Sequence, residues 1–228
     1  MKNYLIIGGS SGIGLALTKL LAKENIVYAT YNNNDIENSE NIKYIKFDAE
    51  LDQIDLSILP EVIHGMAYCP GNLILKPFHR FSDGDFINDY KTQVIGAIKV
   101  IRSILPNLKK GTLSSIVLFS TIAVQKGFTF HSLVSTSKGA IEGLGKALAA
   151  EFAPTIRVNV IAPSLTDTPL ASKLLSSDEK KEFHKKNNPL KEIGTAHSIA
   201  ELANFLITEK SSWITGQIIH IDGGASTL

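Results

Sequence analysis

Short apolar, β-branched runs alternate along the chain with longer stretches whose apolar residues recur at helical spacing. That alternation predicts βαβ units and a parallel sheet. Strands are expected at about Asn3–Ile7, Ile26–Tyr31, Ile42–Phe47, Val62–Tyr68, Ser114–Phe119, Ile156–Ile161 and Gln217–Ile221. Helical patterns cover about Gly12–Glu24, Asp83–Leu108 and Ser132–Ala153, and a last one, capped by Thr195, reaches about Thr208. In the second pattern Val94, Ile98, Ile101 and Leu105 fall at i, i+4, i+7 and i+11 and predict one apolar face. The third is rich in Ala and Gly on one side, which suits close packing. Two connections are too short for an ordinary crossover helix: the Asn-rich Asn32–Asn41, and the segment after Asp48 that contains Pro60. Both should thin the helical layer on one face of the sheet. Pro169–Asn187 reads as two short helices joined near Ser176-Ser177, within a lid segment of about 169–190.

Composition narrows the classes of function. The 228 residues suit one α/β domain, 1–228, and 44% hydrophobic content is ample for its core. Twenty-three Lys and Arg nearly balance 22 Asp and Glu, so no basic excess argues for nucleic acid. The one cysteine, Cys69, excludes an internal disulfide and suits a reducing cytosol. With no membrane-length apolar run and no signal-peptide pattern, a soluble cytoplasmic protein is expected. The six histidines pair with neither Cys nor one another at ligand spacing, so no metal site is expected. The charged run Glu179–Lys186 reads as a solvated helix face, Met66 as core, and Trp213 as a packing or subunit-contact residue.

Candidate chemistry begins at Gly8-Gly9-Ser10-Ser11-Gly12-Ile13-Gly14, between the first strand and the first helix. Glycines there let the backbone turn tightly and let a pyrophosphate approach. The helix N-terminus behind them offers free N–H groups and a partial positive charge to the anion. Strand, glycine turn, helix is the context of a dinucleotide site in a doubly wound, Rossmann-type sheet of about seven parallel strands with helices on both faces.

With the later motifs added, the chain resembles the short-chain dehydrogenase/reductase family. Ile7 to Gly14 resembles its Thr-Gly-x-x-x-Gly-x-Gly motif, with Ile7 in the Thr place. Asp48-Ala49 resembles the pair that holds the adenine, and Tyr68-Cys69-Pro70-Gly71 stands where Asn-Ala-Ala-Gly is usual. Arg157 to Pro163 resembles the stretch entering the nicotinamide site, although Ser164 replaces the usual glycine after it. Thr168 matches the threonine that holds the carboxamide, and Ile214-Thr215-Gly216-Gln217 through Asp222-Gly223-Gly224 resembles the C-terminal signature. The resemblance implies cofactor contacts from Gly8, Ser10, Ser11, Gly12, Ile13, Gly14, Tyr31, Asn32, Asp48, Ala49, Cys69, Gly71, Lys138, Pro163 and Thr168. It also implies hydride transfer between a nicotinamide ring and a small carbonyl or alcohol substrate, and a homodimer or homotetramer formed through the two long helices and the last strand.

The same resemblance exposes a break. The family's proton donor is a tyrosine four residues before a lysine, and here Lys138 is preceded at that spacing by Val134. The family's serine falls on Thr121 and its asparagine on Gln93. Valine carries no ionisable proton, so three readings stand side by side. Another group donates the proton, with His131, three residues before Val134, the best titrating candidate; alternatively it merely caps the helix. Or the protein binds nicotinamide nucleotide with little redox catalysis, as a sensor, scaffold or partner subunit. Or the substrate brings its own acid. Selection of cofactor usually lies after the second strand, where an acid bonds the ribose 2′-hydroxyl. Tyr31 and Asn32 supply none, and Asp35 reads as a solvated loop acid, so NADP(H) is favoured slightly over NAD(H). Cys69 is expected to be a small buried residue rather than a nucleophile.

Overall fold

The computed structural model describes residues 1–33 and 36–228, so the expectation for Asp35 lies outside the described residues. In chain order the elements are β1 (Asn3–Ile7), α1 (Gly12–Leu21), β2 (Ile26–Tyr31), β3 (Ile42–Lys46), β4 (Gly65–Tyr68), α2 (Asp83–Tyr90), a π turn (Lys91–Ile95) and α3 (Gly96–Lys109). There follow β5 (Ser114–Phe119), α4 (Ser132–Phe152), β6 (Ile156–Pro163), the two-residue β7 (Thr166–Asp167), α5 (Asp178–Asn187), the two-residue β8 (Gly194–Thr195), α6 (Ala196–Ile207) and β9 (Ile218–Ile221). The main sheet has seven strands in the order β3-β2-β1-β4-β5-β6-β9, all pairs parallel. The order reverses between β1 and β4, and in such sheets ligands bind outside the strands' carboxyl ends at that switch point.

Two apolar layers flank the sheet. On one face α1 and α6 bury Leu17, Leu21, Ile199, Ala203 and Leu206 against Ile6, Val27 and Val117. On the other, α3 and α4 bury Val100, Ile104, Leu108 and Ile141 against Leu5, Met66, Ile116 and Val158. Continuous buried runs such as Tyr4–Ile7 and Ser114–Phe119 are what a strand covered on both faces requires. Gly145 lets α4 lie close on β6, since a Cβ there would come within 2.5 Å of Val160 Cγ2.

The expected stripe along the long helix is displaced. Val94 and Ile101 are buried, but Ile98 and Leu105 lie only at the edge of a core centred on Ala97, Val100, Ile104 and Leu108. The buried positions 94, 97, 101, 104 and 108 keep regular helical spacing, so the centre of the face runs through Ala97 and Ile104, one position before Ile98 and Leu105. The two clipped connections also differ from each other. The one after β3 forms a single 3-10 turn at Leu56–Ile58 and still packs Ile54 and Leu59 into the α3/α4 side. The β2–β3 connection carries no helix among its described residues, and Ile42 and Tyr44 are only partly covered on the α1/α6 side. Thr195 caps α6 through the Ser198 N–H, and Ser177 caps α5, where the two lid helices were expected to join. Trp213 is 96% exposed, so within one chain it is not a packing residue. No helix among the described residues is long and apolar enough to cross a membrane.

Candidate active site

The β1–α1 turn is shaped by backbone sterics. Gly8 (φ +75°) and Gly12 (φ +50°) occupy left-handed conformations that side chains disfavour. Gly14 lies so close to the preceding turn that a Cβ on it would fall 2.1 Å from the Gly8 carbonyl oxygen. Thr30 on β2 ties the turn down by accepting the Gly8 N–H at 2.9 Å. The N-cap residue Ser11 makes no side-chain cap bond. The first N–H groups of α1 are therefore left for a ligand to satisfy.

A groove of about 480 Å³ runs from this turn along the ends of β2, β3 and β4. Gly8, Ser10, Ser11, Gly12, Ile13 and Gly14 form one wall; Tyr31, Asn32, Asp48 and Ala49 stand at its far end; Cys69, Gly71 and Thr168 close its near end. Asp48 accepts the Glu50 and Leu51 N–H groups at 2.8 and 3.2 Å and the Asn32 amide at 3.1 Å. Those bonds, the Glu50 N–H above all, hold its carboxyl below the usual carboxylate range. Tyr68, standing for the usual asparagine, is buried and donates its hydroxyl to the Thr92 carbonyl at 2.5 Å. Gly96 makes room for it, because a Cβ there would meet the Tyr68 oxygen at 2.2 Å.

Through Ile13, Cys69, Gly71, Asn72, Thr168 and Leu170 the groove opens into a second cleft of about 490 Å³. Pro163 and Lys138 face this cleft rather than the groove. So do Gln93, Thr121, His131 and Val134, so the four predicted catalytic residues are brought together with the valine that breaks the motif. His131, Val134 and Lys138 sit at i, i+3 and i+7, one face of α4. His131 occupies the N-cap position of α4, as the alternative reading had it, but its side chain makes no cap bond. Its Nδ1 lies 2.8 Å from the Thr129 carbonyl, which only accepts, so Nδ1 carries the hydrogen and Nε2 is the position that gains or loses a proton. Thr121 accepts the Ala123 N–H at 3.3 Å. Burial pulls the Lys138 ammonium down to about 8, opposed by the Asp89 carboxylate and by Cys69. The Cys69 thiol, only partly exposed, is pushed by burial up to about 12, and so is not a nucleophile at neutral pH.

Several residues of this region were not anticipated. Asp89 is buried on α2, one helical turn before Gln93, and accepts the Gln93 amide at 2.7 Å and the Ser137 hydroxyl at 2.6 Å. The i, i+4 spacing to Gln93 was the available signal. Glu142, buried on α4, accepts the Ser120 hydroxyl at 2.6 Å and the Gln125 amide at 2.7 Å. His184 of the lid helix lines the same cleft, with its imidazole pKa lowered by burial. At the start of the Arg157 to Pro163 stretch the side chains brace the fold: Arg157 donates to Leu206, Thr208 and Ile214 carbonyls and to Ser211, while Asn159 pins the Ile214 carbonyl and the Gln217 N–H. Asp222 closes the C-terminal turn on Gly224 and Ser226, and Asn188 at the end of the lid helix donates to its carbonyl. Among the described residues no group of three His, Cys, Asp or Glu side chains could hold a metal ion.

A doubly wound sheet with a glycine turn at its switch point, a groove running from that turn and a lysine in the cleft adjoining it is the arrangement of a nicotinamide-dependent oxidoreductase. The comparisons with known proteins narrow that class. Residues 34–226 match the family profile described as enoyl-(acyl carrier protein) reductase. A tropinone reductase homolog of Arabidopsis thaliana is 30% identical over 241 residues, covering 98% of this chain and 90% of the relative. Another from the same plant is 37% identical over 155 residues, 68% of this chain and 59% of the relative. A short-chain dehydrogenase family protein from Francisella tularensis superposes with a TM-score of 0.89 at 30% identity over the whole of both chains. The structure of ElxO with NADP bound superposes with a TM-score of 0.86 at 24% identity, covering 100% of this chain and 99% of that one, a likeness of fold. The chain belongs to the short-chain dehydrogenase/reductase family, whose fold binds nicotinamide dinucleotide, and it is an oxidoreductase of that family.

Proposed function

We propose that the protein reduces or oxidises a neutral, largely apolar carbonyl or alcohol with a nicotinamide dinucleotide, using His131 in place of the missing tyrosine as proton donor. The observation that carries this reading is the single α4 face that presents His131, Val134 and Lys138 to one cleft. The groove fits the dinucleotide because its turn leaves room only for backbone at Gly14 and leaves helix N–H groups unspent. When bound, the nicotinamide supplies or accepts hydride.

The chain's own residues do the rest. The Lys138 ammonium makes no hydrogen bond to a described residue, so its three donors are available to ribose hydroxyls from the cleft side of Gly71. The Thr121 hydroxyl, on the cleft wall, orients the substrate oxygen. His131 Nε2 gives a proton to that oxygen during reduction and takes it back in the reverse direction. Leu170 and Leu174, on the lid segment of about 169–190, exclude water. The remaining cleft lysine, Lys126, is engaged with the Ala225 carbonyl, so among the described residues no cleft lysine other than Lys138 is left for an acidic substrate. The Asn32 and Asn33 amides at the groove's far end favour NADP(H) slightly, by donating to a 2′-phosphate. Exposed Ile87 and Tyr90 on α2, and Trp213 before β9, fit a homodimer or homotetramer, which light scattering at micromolar concentration tests.

The test is nicotinamide absorbance with NADPH or NADH and a panel of neutral ketones and alcohols. Turnover is expected, and His131→Ala should lower it by about 10²- to 10⁴-fold, the range for a general acid. An unchanged rate ends the histidine assignment. Dinucleotide binding with no turnover across the panel returns the protein to the non-catalytic reading.

A further inference from the structure

Asp89 is a buried carboxylate that the reaction described above does not use. It projects from α2 into the seam with α4 and is 3% exposed. Its Oδ2 receives two hydrogen bonds, from Gln93 Nε2 at 2.7 Å and Ser137 Oγ at 2.6 Å. Among the described residues its Oδ1 has no hydrogen-bond partner, and neither has Gln93 Oε1, on a side chain 1% exposed. Leaving such acceptors unpaired in a core is costly, so an arrangement that orphans two of them calls for a reason.

The reason lies a few ångströms away. An ionised carboxylate only accepts, so Asp89 dictates that the Gln93 amide turns its nitrogen inward and its carbonyl oxygen outward. That oxygen then faces Gly71: a Cβ on Gly71 would sit 3.2 Å from Gln93 Oε1 and 3.5 Å from Lys138 Nζ. The Gln93 carbonyl oxygen and the Lys138 ammonium thus converge on Gly71, and among the described residues the ammonium has no hydrogen-bond partner of its own. Ser137, next to Lys138 in sequence, ties the Asp89 carboxylate to the same turn of α4.

We propose that Asp89 is a positioning residue: it is the counter-charge of Lys138 and the anchor that aims the Gln93 carbonyl oxygen toward it. This rests on the placement of Lys138 beside the cofactor ribose for its functional meaning, but not for its electrostatics. The groups acting on Lys138 are Cys69 at the end of β4 and Asp89 on α2. On α4 itself, His131 stands two turns before it and Glu142 one turn after, the latter spent on Ser120 and Gln125. Asp89 is the acid left to oppose the cost of burying the ammonium. The lysine lies near 8 with that carboxylate in place, so losing it should move the ammonium's midpoint into the working pH range.

The experiment is competitive acetylation of the whole protein with acetic anhydride between about pH 6 and pH 10, reading the Lys138 peptide by mass spectrometry. Asp89→Asn keeps the shape and can accept both hydrogen bonds while removing the charge, so it isolates the electrostatic role. Its Lys138 midpoint is expected to fall by about one pH unit or more, a tenfold change in the equilibrium; Asp89→Glu should restore it toward wild type. Should Asp89→Asn fail to fold by circular dichroism, Asp89→Ser is read the same way. A folded, uncharged variant whose midpoint coincides with wild type overturns the proposal and leaves Asp89 a packing residue. A second readout is the dissociation constant for NADPH over the same pH range, which should weaken at lower pH in Asp89→Asn than in wild type. Wild-type protein that binds no dinucleotide but shows the acetylation shift would refute the proposed function and uphold the Asp89 pair.

Discussion

The groove and the cleft share six lining residues and one sheet edge, yet they follow different rules. In the groove the requirements are steric and fall on the backbone: positive φ at Gly8 and Gly12, no room for a Cβ at Gly14. In the cleft they fall on single side chains, and there Val134, Thr121 and Gln93 line the wall at the positions where the family resemblance leads one to expect Tyr, Ser and Asn. A site that binds by backbone shape tolerates almost no substitution. A site that reacts through one proton can be rebuilt around another donor, provided the scaffold places it. Binding and chemistry, adjacent in space, are therefore separately changeable.

The comparison breaks most visibly at Gly14. Gly14→Ala would drive a methyl to 2.1 Å from the Gly8 oxygen, a clash with backbone that cannot be relieved by a rotamer. We expect a loss of roughly 3 kcal/mol, the upper range for overpacking, and a Tm drop of about 6–12 °C, at 2–4 °C per kcal/mol for a chain of this size. Dinucleotide binding should go with it. Gly143→Ala on α4 is the matched control, because a Cβ there meets nothing within 4 Å. It should raise stability by about 0.5–1 kcal/mol through helix propensity. Equal effects in thermal melts would mean that the turn is not the constrained half.

Next in size is Val134→Tyr. Valine 134 is 5% exposed at the cleft wall, four residues before Lys138. A phenol placed there regains the acid beside a lysine that lowers its pKa. Turnover of the best ketone should rise by at least about tenfold, or 1.4 kcal/mol of barrier, and His131→Ala should no longer matter in that background. A rate that stays put with binding intact would show that Gln93 and Thr121 have repurposed the cleft and not merely lost one group.

What the sequence disclosed follows the same division. The strand pattern, the glycine turn and the Thr195 cap were legible because each is a local rule: apolar runs, a turn between strand and helix, a hydroxyl before a helix. Lys138, Thr121, Gln93 and His131 were legible as a set, and the fold gathers them. The Asp89 network was not, because a lone Asp in a helix reads as surface until Ser137 is known to face it from another element. The role of Arg157 was not legible either, for a related cause. Its motif sits at the strand entering the nicotinamide site, but its guanidinium turns away to bind four groups at the end of α6 and the loop before β9. The π turn at Lys91–Ile95 has no local sequence cue that we can name.

Acid–base dependence gives a smaller effect. The folded-state pKa of Lys138, about 8, lies below the ordinary lysine value, so the charge is present below pH 8 and lost as pH rises through it. Dinucleotide affinity should therefore weaken between pH 7 and pH 9, through loss of the charge that faces ribose oxygens. A flat binding profile over that interval would separate Lys138 from the cofactor.

The smallest expected effect concerns which dinucleotide the groove prefers. Asn32 and Asn33 can donate to a 2′-phosphate, but the charged side chains lining that end are Asp48 and Glu50, which repel it. Asn32 also spends its amide on Asp48 at 3.1 Å. Donors and repulsion nearly offset, so the preference for NADPH over NADH should stay under about tenfold, or 1.4 kcal/mol. Asn32→Asp would face Asp48 with a second carboxylate and place an acid where a 2′-hydroxyl is read, reversing the preference toward NADH. Asn32→Arg should do the opposite, through a guanidinium that bonds phosphate in a fork. Dissociation constants for both dinucleotides across the three proteins measure this directly. If neither substitution moves the ratio, the adenosine ribose does not lie at the end of β2, and the orientation assigned to the cofactor in the groove is reversed.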